Sequence, residues 1–324
     1  MWDTIFTNNT QEQFKETALA VFKHQFKNNK VYRSFCDLLY VHPSDVTEIE
    51  KIPFLPIQFF KSRKVLSSLE EVEEVFSSSG TTGSITSKHF VTDISLYEES
   101  YLKGFQHFYG DIKNYTILAL LPNYLERKGS SLVYMVNDLI QKSEQPQSGF
   151  YLNNLKKLSE TLIQLNQPDR KVLLIGVSFA LLDLVEQYQF DLKNTIVMET
   201  GGMKGRRKEL IRDELHEILK NGFGVSQIHS EYGMTELLSQ AYSKGNGIFE
   251  CPPWMKVLTR DTEDALTIQT PSKTGGINVI DLANYNSCSF LATQDLGKVH
   301  QNGSFEIIGR FDTSDIRGCN LLVL

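Results

Sequence analysis

Three short apolar runs constrain the fold of this chain most: Thr116-Ile117-Leu118-Ala119-Leu120-Leu121, Lys171-Val172-Leu173-Leu174-Ile175-Gly176 and Thr195-Ile196-Val197-Met198-Glu199-Thr200-Gly201-Gly202. Each is bounded by Pro or Gly, and they alternate with longer helical patterns over 129–142, 179–189 and 207–219. Apolar runs spaced by helices predict parallel strands, buried on both faces and joined by crossover helices. Upstream, Phe14, Leu19, Val21-Phe22 and Phe26 recur at three- and four-residue spacing, which predicts helix over 10–40. Ile52-Pro53-Phe54-Leu55-Pro56 breaks that pattern, and Asp93 is placed to cap a helix over 94–109. From about Trp254 short strands separated by turns (Lys273-Thr274-Gly275-Gly276, Gln301-Asn302-Gly303) predict a mostly antiparallel end. The expected class is therefore α/β.

Composition narrows the function classes. The 324 residues are 41% hydrophobic and 22% charged, the make-up of an ordinary globular protein with room for a large core. With 33 basic and 39 acidic residues the net charge is −6, so the basic excess of a nucleic-acid footprint is missing and no nucleic-acid partner is expected. No apolar run approaches the roughly 18 residues of a membrane-spanning helix. Met1-Trp2-Asp3-Thr4 does not open a secretion signal, and a cytoplasmic location is the expectation. Cys36, Cys251, Cys288 and Cys319 are scattered without paired spacing, as reduced thiols would be.

Chemistry concentrates first in Ser77-Ser78-Ser79-Gly80-Thr81-Thr82-Gly83-Ser84-Ile85-Thr86-Ser87-Lys88. So many hydroxyls and glycines cannot build a core strand or a stable helix. They can wrap N–H and O–H donors around an anion, because Gly80 and Gly83 accept positive φ and allow close approach. The spacing is neither that of a Walker loop nor that of a dinucleotide turn. A solvated Ser/Gly linker is the alternative.

Further segments give that loop a context. Ser-Ser-Gly-Thr-Thr-Gly resembles the phosphate-binding loop of the adenylate-forming superfamily, which includes acyl-CoA synthetases, peptide-synthetase adenylation domains and luciferase. His229-Ser230-Glu231-Tyr232-Gly233-Met234-Thr235-Glu236 is similar to its Tyr-Gly-x-Thr-Glu motif. Thr293-Gln294-Asp295-Leu296-Gly297 and Gly309-Arg310-Phe311-Asp312 resemble its Thr-x-Asp-Leu-Gly and Gly-Arg-x-Asp signatures. The four occur in the family's order across about Ser77 to Cys319. The superfamily's mobile C-terminal domain is expected to be absent, since the chain ends fourteen residues after Arg310. That truncation, the segment from Pro122 to Met135 and the near-terminal Cys319 resemble the bacterial acyl-protein synthetases, relatives of the phenylacetate-CoA ligases.

The resemblance implies one adenylate-forming N-terminal-type domain over 1–324. Residues 1–76 would be helical, 77–250 the nucleotide- and acyl-binding core and 251–324 a β-rich end with a short tail. It implies an AMP- and pyrophosphate-producing acid–thiol ligase that uses ATP and Mg²⁺ to activate a fatty or aromatic carboxylic acid. Ser78, Ser79, Gly80, Thr81, Thr82 and Gly83 would cradle phosphates. Glu236 would hold Mg²⁺, Thr235 would contact the α-phosphate, and Tyr232, followed by Gly233, would stack on adenine. Gly201 and Gly202 would let backbone approach the adenine, Asp295 and Arg310 would bond the ribose hydroxyls, and His229 would line the acyl-carboxylate pocket. Cys319 would take the acyl group; alternatively CoA, or an accepting reductase or carrier protein, would take it.

Other readings of these residues stay open. Glu236 could be a carboxylate at a helix N-terminus, His229 a core imidazole, and Gly201-Gly202 an ordinary strand-end turn. Lys88 follows Gly83 by five residues where the superfamily's commonest loop has three, so it reads equally as a surface residue. Cys251, Cys288 and His229 make a weak zinc set without Cys-x-x-Cys spacing. A non-catalytic module that kept a nucleotide site is the reading outside enzymes.

Overall fold

The computed structural model describes residues 2–7, 10–78, 85–122, 129–152, 154–201 and 210–311. The chain divides into two compact units, Met1–Ser68 with Pro253–Leu324, and Leu69–Pro252.

The first unit begins with helix α1 (Gln11–Asn28), started by Thr10, whose hydroxyl accepts from Gln13 N. Its buried stripe is Phe14, Ala18, Val21, Phe22, Gln25 and Phe26, the spacing that places side chains on one helical face. The helix expected over 10–40 is in fact two. Asn29 ends α1 and caps α2 (Lys30–Leu38) by accepting from Val31 N and Tyr32 N at 3.1 and 3.0 Å. An Asn amide competes in this way with helix continuation, a signal that apolar periodicity passes over. A two-residue strand β1 (Leu55–Pro56) and a single turn of helix α3 (Phe59–Ser62) follow.

The second unit opens with the antiparallel hairpin β2 (Glu74–Ser77) and β3 (Lys88–Val91). Helix α4 (Ile94–Tyr109) is capped by Asp93, whose carboxylate accepts from Ser95 N at 3.0 Å. Then come β4 (Tyr115–Leu120), α5 (Ser131–Ser143), β5 (Gly149–Phe150), α6 (Leu155–Leu165) and β6 (Lys171–Val177). The unit continues with α7 (Ser178–Gln187), β7 (Thr195–Thr200), α8 (Arg212–Phe223), β8 (His229–Tyr232), β9 (Ala241–Ser243) and β10 (Ile248–Glu250). Strands run β5-β4-β6-β7-β8 in parallel, and β9 and β10 add antiparallel strands beside β8. The three apolar runs are thus the three central parallel strands, and β4 is buried at every position. Helices α4 and α5 are tied by Tyr101 Oη donating to Asp138 at 2.6 Å. Helices α7 and α8 meet closely at Gly222, where a methyl group would run into Val185.

The chain then returns to the first unit with β11 (Met255–Arg260), β12 (Thr274–Asp281), β13 (Phe290–Val299) and β14 (Phe305–Arg310), an antiparallel meander. Strand β1 pairs in parallel with β13. Two buried amides hold the N-terminal helices to this β-rich part. Gln25 Nε2 donates to Asn284 O and Tyr285 O at 2.9 and 3.0 Å, and its Oε1 accepts from Ser289 N at 2.9 Å. Asn29 Nδ2 donates to Ser287 O at 2.9 Å. Phe290 packs among Phe22, Tyr32 and Phe54. Among the described residues no helix is long and apolar enough to cross a membrane.

Candidate active site

Three segments far apart in sequence meet at the base of the Ser/Gly loop. Ser77 N donates to Gly129 O at 2.7 Å, in the stretch just before α5. Ser78 N donates to Ser87 O at 3.1 Å and Ser78 Oγ accepts from Ser87 N at 2.9 Å, which closes the hairpin below the loop. The backbone N–H of Ser78 is therefore already taken within the hairpin. Lys88, opposite Ser77, is exposed. The next residue, His89, is buried, and its Nδ1 lies 2.9 Å from the carbonyl oxygen of Thr235. Desolvation pulls His89 down to about 4, against the small opposing effect of that bond, so the ring is neutral at physiological pH. Ser79, Gly80, Thr81, Thr82 and Gly83 lie outside the described residues.

Thr235 and Glu236 are the middle of a turn in which Leu237 N donates to Met234 O at 3.0 Å. No helix follows, so the helix-terminus alternative for Glu236 does not apply. Glu236 is buried, as are Leu237, Leu238, Ser239 and Gln240, and Ser239 Oγ is 3.0 Å from Ser100 Oγ of α4. The turn is thus anchored on both sides. Tyr232, at the end of β8, stands edge-on to Phe249 with centroids 5.9 Å apart, and the Arg212 guanidinium lies over the other ring at 5.1 Å. Gly201 adopts φ of 67°, a left-handed value that suits glycine, and its carbonyl accepts from Ser178 Oγ at 2.9 Å. Gly202 lies outside the described residues. These groups follow the carboxyl ends of β6, β7 and β8, where open parallel sheets bind ligands.

Two carboxylates not singled out from the sequence lie directly beneath. Thr200 registers with Glu231 and Glu199 with Ser230, so the two acids sit on opposite faces of the sheet. Glu231 accepts from Thr200 Oγ1 at 2.5 Å, and a methyl group at Gly233 would run into Glu231 Oε1. Burial pushes the Glu231 carboxyl up to about 7; the Thr200 bond opposes the rise and Glu199 adds to it. On the other face Glu199 accepts from Ser178 Oγ at 3.2 Å and lies 3.7 Å from His216 Nε2. The available signal for Glu231 was its place two residues before Gly233, and for His89 its inward phase on β3.

His229 stands at the other end of β8. Its Nδ1 is 3.2 Å from Tyr109 Oη, and burial, then the nearby Lys244, pulls it down to about 4. It borders a cavity of about 340 Å³ that Thr195, Gly224 and Gln227 also line, where β7 and β8 begin. The structure thus separates His229 from Thr235 and Glu236 by the length of the strand, about 10 Å at 3.3 Å per residue.

In the first unit Asp295 and Arg310 are cross-strand partners on β13 and β14, with Arg310 Nε donating to Asp295 Oδ1 at 3.0 Å. Asp295 is 8% exposed at its side chain and Arg310 78%. Thr293 supports the pair, its hydroxyl accepting from Asp295 N at 3.1 Å and donating to Ile277 O at 2.9 Å. The register shifts between Leu296 and Gly297, where a side chain would strike Glu306 O. Gly297 is thus required by close backbone approach. Cys319 lies outside the described residues. Cys288 is fully buried and desolvation holds its thiol well above the ordinary value. Among the described residues no three His, Cys, Asp or Glu side chains are grouped to hold a metal. Glu236 alone fits Mg²⁺ only as that ion arrives with a nucleotide, since Mg²⁺ takes one or two carboxylates besides phosphate oxygens and water.

Known proteins complete the picture. The family model described as "Acyl-protein synthetase, LuxE" matches residues 4–100 and 134–324. The long-chain-fatty-acid–luciferin-component ligase of Vibrio harveyi is 25% identical over 339 residues, spanning 96% of this chain and 88% of that protein. Its namesake from Aliivibrio fischeri is 23% identical over 359 residues, spanning 98% and 92%. Among solved structures, 2-hydroxyisobutyryl-CoA ligase in complex with 2-HIB-AMP and CoA superposes with a TM-score of 0.70 at 10% identity, over 94% of this chain and 70% of that one. ATP-bound MatB from Rhodopseudomonas palustris gives 0.56 at 16% identity, over 75% of this chain and 49% of that one, so this chain spans about half its length. At such identities the likeness is one of fold, that of adenylate-forming enzymes. The family match, by contrast, runs through both units and most of the sequence, and by it the chain belongs to the LuxE acyl-protein synthetase family.

Proposed function

We propose that this acyl-activating ligase joins a fatty acid to ATP, forming an acyl-adenylate and pyrophosphate, and then passes the acyl group to a cysteine thiol. The observation that carries the reading is the meeting of the Ser/Gly loop base with the Thr235–Glu236 turn, beyond the carboxyl ends of the parallel strands. A carboxylate is a poor electrophile, and AMP is a far better leaving group than hydroxide. A carboxylate oxygen attacks the α-phosphorus and pyrophosphate leaves. A thiolate then attacks the acyl carbon, and AMP departs with the bonding electrons.

Each residue contributes a distinct part. The Ser78 hydroxyl, with Ser79, Gly80, Thr81, Thr82 and Gly83, offers donors to the β- and γ-phosphates. Mg²⁺ enters with ATP as substrate; Glu236 is the carboxylate for it, and Thr235 meets the α-phosphate. Tyr232 stacks on adenine beside the close-approach positions Gly201, Gly202 and Gly233. Asp295 accepts from the ribose hydroxyls and Arg310 donates to them. His229, neutral and bonded to Tyr109, serves as a wall of the acyl pocket rather than as a base. Cys319 is the thiol that receives the acyl group, with Arg317 beside it in sequence to favour the thiolate.

Incubation with ATP, Mg²⁺ and labelled fatty acid should release AMP and pyrophosphate and leave a hydroxylamine-labile label on the protein. Glu236→Gln should slow acid-dependent ATP–pyrophosphate exchange by on the order of 10²-fold. Cys319→Ser should abolish the label while sparing exchange, since only the second step uses the thiol. Production of ADP, or full exchange by Glu236→Gln, would overturn the first step. A label that persists in Cys319→Ser would move the acceptor elsewhere, and acyl-CoA formation on adding CoA would identify it.

A further inference from the structure

His89 touches the Thr235–Glu236 turn through Thr235 O, and it comes from the strand that leaves the Ser/Gly loop. A backbone carbonyl can only accept, so the bond to Thr235 O fixes the ring as the tautomer carrying hydrogen on Nδ1. The ring is 1% exposed, and on β3 it registers with Phe76, itself 1% exposed, at the packed end of the hairpin. Two residues earlier, Ser87 closes the loop base by bonding Ser78 through both its backbone groups. A displacement of the loop base is therefore carried through a short, doubly bonded strand and a buried ring to the Thr235 carbonyl. Removing the donor would take a partner from a part-buried carbonyl beside the buried run Glu236 to Gln240, at a cost to the turn.

We propose that His89 is a positioning residue that locks the base of the Ser/Gly loop, where Ser77 and Ser78 meet Ser87 and Lys88, and the Thr235–Glu236 turn into one frame. This rests on the reading of these two segments as the phosphate-facing parts of an adenylation site. Phosphate donors from one segment and a carboxylate from the other must face the same triphosphate, and catalysis by preorganised groups falls steeply with misplacement of about 1 Å. The strap is what keeps the two at a fixed separation before substrate arrives.

The test compares His89→Leu, which fills similar space without a donor, with His89→Asn, whose side-chain amide N–H can take the place of Nδ1–H. Both are examined in the full chain by hydrogen–deuterium exchange and by ATP–pyrophosphate exchange with fatty acid. His89→Leu should raise amide exchange in the peptides covering 78–88 and 233–237 while leaving β4 and β6 protected. Its turnover number should fall about 10- to 100-fold. His89→Asn should recover to within about threefold in both measurements, a rescue that a purely space-filling role would not give. Wild-type turnover and protection in His89→Leu, or equal impairment of both variants, would overturn the proposal. If the wild-type chain itself shows no acid-dependent exchange of pyrophosphate, the functional reading fails. Deuterium uptake by the two segments then still decides for or against the strap.

Discussion

Replacing Glu231 by glutamine should change how stability depends on pH more than it changes stability at any acid pH. The carboxyl has an ordinary value of 4.5 and is pushed up to about 7 by burial in the folded chain. Below 4.5 both folded and unfolded chains hold the proton, and the site is indifferent to pH. Between those values the folded state keeps a proton that the unfolded state gives up, so stability falls as pH rises, and above about 7 the full penalty is in place. At 1.36 kcal/mol for each tenfold change, ionising this group in the fold costs about 3 kcal/mol. That is an upper bound, because Glu231 keeps some surface in water. A glutamine amide in its place would still accept from the Thr200 hydroxyl but carries no charge. Desolvated His89 and His229, both held near 4, act with the opposite sign, losing stability as pH falls below 6.5, but they are common to both proteins and cancel. Urea unfolding at intervals from pH 4.5 to 8 should therefore show the variant gaining on the wild type by up to about 3 kcal/mol toward pH 8. Parallel curves over that range would refute an enclosed, proton-holding Glu231.

Two further outcomes follow from the first unit. Asp295→Ala should weaken ATP binding by about 2–4 kcal/mol in calorimetry through lost ribose bonds. Its effect on unfolding should stay near about 1 kcal/mol, because the Arg310 partner is largely in solvent; unchanged affinity would leave Thr293–Gly297 as a strand with a bulge and no more. Asn29→Ala should cost roughly 2–3 kcal/mol in urea unfolding, about 1 for the lost cap and the rest for the buried bond to Ser287 O. A loss under about 0.5 kcal/mol would show that α2 starts without it.

The sequence announced elements whose cause is local and left silent those whose cause is distant. Asp93 caps α4 where expected, because a side chain two residues from its partner is visible in any sequence. Strands β4 and β6 read as near-continuous apolar runs, because burial on both faces leaves little polar phase to hide them, and β7 shows the same in its Ile196-Val197-Met198 core. The motif segments were legible as a set through resemblance, yet nothing in them told that Ser78 N would be bonded within the hairpin or that His229 would face Tyr109. His89 and Glu231 escaped because their roles arise from partners 146 and 31 residues away. The place of Glu231 two residues before Gly233 and the alternation of His89 on β3 hint at burial but say nothing of those partners. The pairing of α1 and α2 with the last four strands was equally invisible, since it depends on where Gln25 and Asn29 find carbonyls more than two hundred residues later.

Those two amides also set an order on the life of the chain. When the ribosome has delivered α1 and α2, the carbonyls of Asn284, Tyr285 and Ser287 do not yet exist. The Gln25 amide must remain hydrated, and the side of Phe22 that meets Phe290 uncovered, until the whole of Leu69–Pro252 has emerged. Bringing the ends of roughly 180 intervening residues together costs about 4–5 kcal/mol in chain entropy if that stretch is still unfolded. The cost shrinks to the span between two fixed points once the stretch is compact. Vectorial synthesis therefore favours the parallel sheet of the second unit as the first structure to form, with α1 and α2 as the last pieces to be buried.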